Sequence, residues 1–130
     1  TRLIMYKRIA NAKSPGELYE LQIEMIDRFG LLPDEAKSLI RMTELRLEAS
    51  DLGIKEIRIG ESGGVIRFTD KPNIEPIALI QLLQSGGGLY QMAGPQALQI
   101  VSDLPEQEDR LQAVKSVLDH LKQHRIEEAN

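Results

Sequence analysis

At 130 residues, 42% hydrophobic and 28% charged, the chain has the size and make-up of one globular domain and not of an extended disordered segment. Its 16 Lys and Arg stand against 20 Asp and Glu, and the net charge of -4 argues against a surface built to hold a phosphate backbone. The absence of cysteine excludes disulfides and thiolate metal sites and fits a reducing cytoplasm.

Residues 2–12, RLIMYKRIANA, place Leu3, Tyr6, Ile9 and Ala10 at helical spacing, with Lys7 and Arg8 on the other side. At SPGE, Ser14 and Glu17 form a capping box and Pro15 suits a first helical position, so a second helix begins there. Gly30, after Phe29, supplies its stop. A third helix opens at Pro33 and runs to about Leu52, with Gly53 as terminator. Ala36, Leu39, Ile40 and Leu47 form one apolar side of it, and Met42, Leu45 and Ala49 another, the pattern of a central helix.

The period then changes. IKEIRIG at 54–60 and VIRFT at 65–69, separated by ESGG, predict a hairpin. Pro76 opens a helix with Ile77, Leu79, Ile80, Leu82 and Leu83, ended by Gly86, Gly87 and Gly88. Two short strands follow around LYQMA and ALQIV, joined at Gly94-Pro95. A last helix spans about Pro105 to His124, with Leu111, Val114, Leu118 and Leu121 as its core seam and Asp103 as a candidate cap. Only the glycine triplet and the final IEEAN read as loose.

Strands joined by short turns, with helices segregated from them, predict an α+β fold: a small antiparallel sheet of about four strands with helices packed around it. Residues 1–130 read as a single unit without an internal linker. The chain opens at Thr1 and meets Met5 inside a helical pattern, which suggests a piece of a much longer protein. No apolar run approaches the ~20 residues that cross a bilayer, so no membrane partner is expected.

The second helix raises the main functional question. Leu18, Tyr19, Leu21, Ile23, Met25, Ile26 and Phe29 occupy an arc of about 200°, and Glu17, Glu20, Glu24 and Asp27 fall in the remainder with Arg28 beside them. Paired carboxylates do acid–base work where burial or neighbours drive their pKa values apart, and nothing here desolvates them. They read as a solvated face or as a docking surface for a basic partner. His120 and His124 have the spacing of two metal ligands, but no third ligand is evident and they read as an exposed polar face opposite the apolar seam. The glycine stretches at 60–64 and 85–94 lack the Lys-Ser or Lys-Thr ending of a phosphate loop and read as turns. No nucleophile elbow, metal set or cofactor motif emerges, and the residues alone describe a non-catalytic α+β module. Arg58 and Arg67 on the first hairpin leave open a nucleic-acid surface, with Phe68 and Tyr90 as sparse aromatics.

The stretch YKRIANAKSPGELYELQIEMIDRFGLLP, followed in order by LGI, GGVIRF, LIQLLQ and the GP turn, resembles the C-terminal domain of bacterial transcription-repair-coupling factor. The likeness runs from about Arg2 to Leu121 and is most specific at YKRIA (6–10) and DRFGLLP (27–33). The resemblance implies a full-length cytoplasmic bacterial protein that is an ATP-driven translocase on double-stranded DNA. Such a protein dislodges stalled RNA polymerase and recruits nucleotide excision repair. ATP and Mg would belong to its motor, whose phosphate-binding loop and helicase motifs this chain lacks, and the domain itself would need no cofactor. The family's C-terminal domain packs against an N-terminal UvrB-like module, hides the surface that captures UvrA, the damage-recognition ATPase, and restrains the motor domain. The implied contact comprises Glu20, Glu24, Asp27 and Arg28, with Phe29, Gly30 and Pro33 fixing the helix end. Glu24, Asp27 and Arg28 lie on the family-like segment, whereas Glu20 is placed by helical geometry. The alternative is a module binding RNA polymerase or DNA directly through the arginines of the first hairpin.

Overall fold

The structure, a computed structural model, describes residues 2–126. In chain order they form α1 (Arg2–Ala10), α2 (Pro15–Phe29), α3 (Asp34–Asp51), β1 (Ile54–Gly60), β2 (Gly63–Phe68), α4 (Pro76–Ser85), β3 (Tyr90–Met92), β4 (Ala97–Val101) and α5 (Gln107–Lys122). The order of three helices, hairpin, helix, hairpin, helix is the expected one, and the fold is α+β. Of the loose tail expected at IEEAN, residues 127–130 lie outside the described residues. Contacts group into two compact units, 1–47 and 48–130, whose boundary falls inside α3 where no turn residue marks it.

In the first unit, α2 starts as its sequence dictates. Ser14 is extended, and its hydroxyl accepts the backbone N–H of Glu17 at 3.1 Å. The Glu17 carboxylate accepts the N–H of Lys13 at 2.8 Å instead of that of Ser14, so the box closes one residue early. At the other end Gly30 takes φ 84° and donates its N–H to Ile26 O at 2.8 Å. No atom stands within 4 Å of where its Cβ would be, so the demand for glycine there is conformational and not steric. Leu18, Leu21 and Met25 of α2 pack with Met5 and Ile9 of α1 and with Ala36 and Ile40 of α3. Phe29, Leu32, Leu39 and Leu47 close the cluster from its edge. Side chains buried this completely contribute ~1.5–3 kcal/mol each, which holds the three short helices together. The first helix ends at Ala10, short of the expected residue 12: Asn11 still donates its N–H to Lys7 O in the helical pattern, and Ala12 donates to Ile9 O in a tighter turn that closes the helix.

The second unit is built on one antiparallel sheet of order β1-β2-β4-β3. Ile57 pairs with Ile66, Ile66 with Leu98, and Leu98 with Met92, so one apolar row crosses all four strands. The second strand begins at Gly63, two residues before the expected start, because Gly60 and Gly63 are themselves paired across the turn. Ahead of the sheet, Gly53 has φ 84°, and a Cβ there would sit 2.6 Å from Pro72 Cα. Glycine is needed at that position on both counts. The last helix is capped by Glu106, not Asp103. Glu106 and Asp109 each accept the other's backbone N–H, and Asp103 lies exposed outside the helix. This helix ends at Lys122, two residues short of His124, and buries Val117 beside Leu111, Val114, Leu118 and Leu121.

Candidate interaction surface

Around α2 the side chains fall into three groups. Leu18, Leu21 and Met25 are buried. Glu24, one of the four carboxylates expected on the outer side, is turned toward α1. Its carboxylate pairs with the Arg8 guanidinium and, at 3.7 Å, with Arg28 one turn on. The negative charge of Glu24 is therefore balanced inside the unit. Glu20 and Asp27 are exposed and make no ion pair among the described residues. They lie seven residues apart, two turns along one side of the helix, at a separation of about 10 Å.

The third group departs from the expected wide core arc. Tyr19, Ile23 and Ile26 are 64%, 44% and 46% exposed. Periodicity makes a residue apolar-facing but does not say that anything covers it, and here the core occupies only part of the apolar arc. Beyond the helix, Leu31 is 90% exposed, while Phe29 and Pro33 are half-buried. The Arg2 guanidinium lies 5.7 Å from the Phe29 ring centroid and pins it from outside. At this end of α2 Gly30 takes the positive φ that stops the helix, with Phe29 and Pro33 half-buried on either side of it.

The remaining candidates are less productive. Arg58 and Arg67 do not face each other across the first hairpin, where Arg58 stands opposite Val65 and Arg67 opposite Glu56, and both engage the Glu56 carboxylate, at 2.9 and 3.6 Å. Half of their charge is matched locally, which weakens them as a phosphate-binding pair. His120 and His124 are half-buried instead of exposed, with ring centroids 5.1 Å apart. The burial of Val117 widens the apolar seam of α5 toward them. His120 Nε2 stands 3.0 Å from the Ala78 carbonyl, an acceptor, so that nitrogen carries the proton and ties α5 to α4. Among the described residues no three His, Asp or Glu side chains gather for a metal ion. An open cavity of about 350 Å³ lies between β3, β4 and α5, lined by Tyr90, Ile100, Leu104, Asp109 and Gln112. Burial pushes the Tyr90 phenol up from its ordinary value, Asp109 is committed to the helix cap, and Ser102, Asp103 and Ser116 also line the cavity. No helix of the described residues is long and apolar enough to cross a membrane.

Three helices with a common core, and a four-stranded antiparallel sheet with its own helices, define an α+β domain in which α2 carries exposed Glu20 and Asp27 beside Tyr19, Ile23 and Ile26. The chain belongs to the TRCF domain family: the family model so described matches residues 1–79. It is 44% identical over 126 residues to the transcription-repair-coupling factor of Escherichia coli strain K12, covering 97% of this chain and 11% of that protein. The same identity holds over 117 residues with the factor of Haemophilus influenzae, covering 90% of this chain and 10% of the relative. The chain thus spans about a tenth of the length of these curated relatives. A solved structure titled "Crystal structure of C-terminal domain of transcription-repair coupling factor" superposes with a TM-score of 0.64 at 18% identity, covering 93% of this chain and 81% of that one, which shows the shared fold.

Proposed function

We propose that this chain is the C-terminal, non-catalytic regulatory domain of a bacterial transcription-repair-coupling factor. It acts as a latch, covering the UvrA-capturing surface of the N-terminal UvrB-like module and restraining the motor domain until RNA polymerase is engaged. In that protein the ATP- and Mg-dependent translocation on double-stranded DNA belongs to the motor, and this domain takes no cofactor. The observation that carries the reading is the side of α2 on which Glu20 and Asp27 stand exposed and unpaired, on a family-matched segment whose end is fixed by Phe29, Gly30 and Pro33. Two carboxylates without local partners favour a basic surface opposite them. Exposed charge pairs of this kind give specificity and reversible release more than raw affinity, which suits a latch that must open. Glu24 and Arg28 lie at the edge of this contact, and Glu24 acts mainly by holding α2 against Arg8 of α1.

The rival reading, direct binding of RNA polymerase or DNA through Arg58 and Arg67, is disfavoured by their shared Glu56 and by the net charge of -4. The test is UvrA capture by the full-length protein, with and without Glu20→Lys and Asp27→Lys. Reversal is expected to raise capture at least tenfold. Unchanged capture, with the variants folded, would rule the latch out.

A further inference from the structure

We infer that Tyr19, Ile23 and Ile26 of α2 form a docking seam for a second amphipathic helix, one carrying Lys or Arg beside its apolar residues and supplied by another part of the same long polypeptide. The inference deepens the latch reading and rests on it, by naming what lies against α2 beside its acidic side.

The three residues follow one another at intervals of four and three, the alternation of core positions in a coiled coil, and fall within about 60° of each other around the helix. Gly16 continues the series toward the N-terminus, where a Cβ would meet only Ser14 Oγ at 4.0 Å, so the neighbourhood is open. The core of the unit uses a different face, that of Leu18, Leu21 and Met25, and leaves the seam uncovered.

Its flanks identify the occupant. In coiled-coil terms Glu20 and Asp27 both take the position just after a core residue, and the opposite flank holds Gln22 and Phe29, which carry no charge. A second copy of this chain packed antiparallel would set Glu20 and Asp27 against their own counterparts, a repulsion. Packed parallel, it would set them against Gln22 and Phe29, which compensate nothing. A helix with Lys or Arg at the facing positions satisfies both carboxylates.

Size identifies its source. A two-turn seam of three half-exposed side chains buries a few hundred Å² at most, well under the roughly 800 Å² per partner of a stable interface between separate molecules. Within one polypeptide the effective concentration reaches the millimolar range, and a contact this small then suffices. About nine-tenths of the Escherichia coli relative lies outside the matched 11%, so the polypeptide has ample room for such a helix.

The test places single cysteines in the full-length protein that carries this chain, which itself has none. Maleimide labelling of Ile23→Cys is compared, peptide by peptide in the mass spectrometer, with Val101→Cys, 46% exposed on β4 and off the seam. The seam cysteine is expected to label at least tenfold slower, and Glu20→Lys with Asp27→Lys to bring it within about twofold of the control. Tyr19→Cys, at a position 64% exposed, repeats the measurement if Ile23→Cys disturbs the fold. Labelling of both seam positions within twofold of the control would overturn the seam, and protection that survives charge reversal would overturn a basic partner. UvrA capture by the same proteins separates the two readings. A failed latch leaves capture unmoved by Glu20→Lys and Asp27→Lys while the seam stays protected in the unreversed protein, whereas a failed seam labels freely while capture still responds.

Discussion

Charge reversal is expected to weaken folding at Glu24 and to leave it nearly unchanged at Asp27, although the two residues are three apart on one helix. Glu24 sits between the Arg8 and Arg28 guanidiniums, with side-chain exposures of 33% for Glu24 and 48% for Arg8. At that exposure the Arg8 pair contributes ~0.5–1 kcal/mol, and the helical pair with Arg28 ~0.3 kcal/mol. Glu24→Lys loses both and places three cations together, so destabilisation of about 1–2 kcal/mol is expected. Asp27→Lys breaks no pair seen in the structure and is expected to stay within about 0.5 kcal/mol of the parent. Urea unfolding of the 130-residue chain reads both changes, and the double variant Glu24→Arg with Arg8→Glu is expected to recover at least half of the loss. A coupling between positions 8 and 24 below about 0.3 kcal/mol, or equal losses at 24 and 27, would refute the account of which carboxylate holds the fold.

Three further outcomes follow from the same geometry. Gly53→Ala is expected to cost at least ~2 kcal/mol, from positive φ and from the contact with Pro72, read as a lowered urea midpoint. Ser14→Ala is expected to cost ~1 kcal/mol through the lost cap on α2, while Asp103→Ala, at a residue outside the cap of α5, is expected to change stability by less than ~0.5 kcal/mol; thermal melts compare the two. The hydrogen bond from Lys115, above all, holds the Asp119 carboxyl below its ordinary value, so its contribution is present at neutral pH and lost as the pH falls through that depressed value. Asp119→Asn is therefore expected to cost a few tenths of a kcal/mol at pH 7 and nothing in strong acid, in urea titrations across pH.

What could be read in advance was local. Ser14, Pro15, Gly30 and Gly53 act within a few residues of themselves, and the boundaries they mark appear in the structure at or near their expected positions. The hairpin β1–β2 was legible for the same reason, whereas the order β1-β2-β4-β3, with β4 inserted beside β2, depends on pairings some thirty residues apart. The cap of α5 was misplaced because Asp103, Glu106 and Asp109 are all plausible caps, and only the reciprocal bonds of the last two distinguish them. On α2, a helical projection shows which residues share a side but not what stands opposite. The balancing of Glu24 by Arg8 crosses 16 positions of sequence and two helices, and so was invisible. Equally, the exposure of Tyr19, Ile23 and Ile26 could not be told from burial, because both look apolar in a sequence.

The central claim, an acidic latch on α2, is tested most directly by titrating this domain against the separately produced N-terminal UvrB-like module at a series of salt concentrations, with Asp27→Lys and Glu20→Lys alongside. The account predicts weak binding that falls as salt rises and that charge reversal abolishes. Binding that is indifferent to both salt and reversal would contradict it and move the contact off this helix.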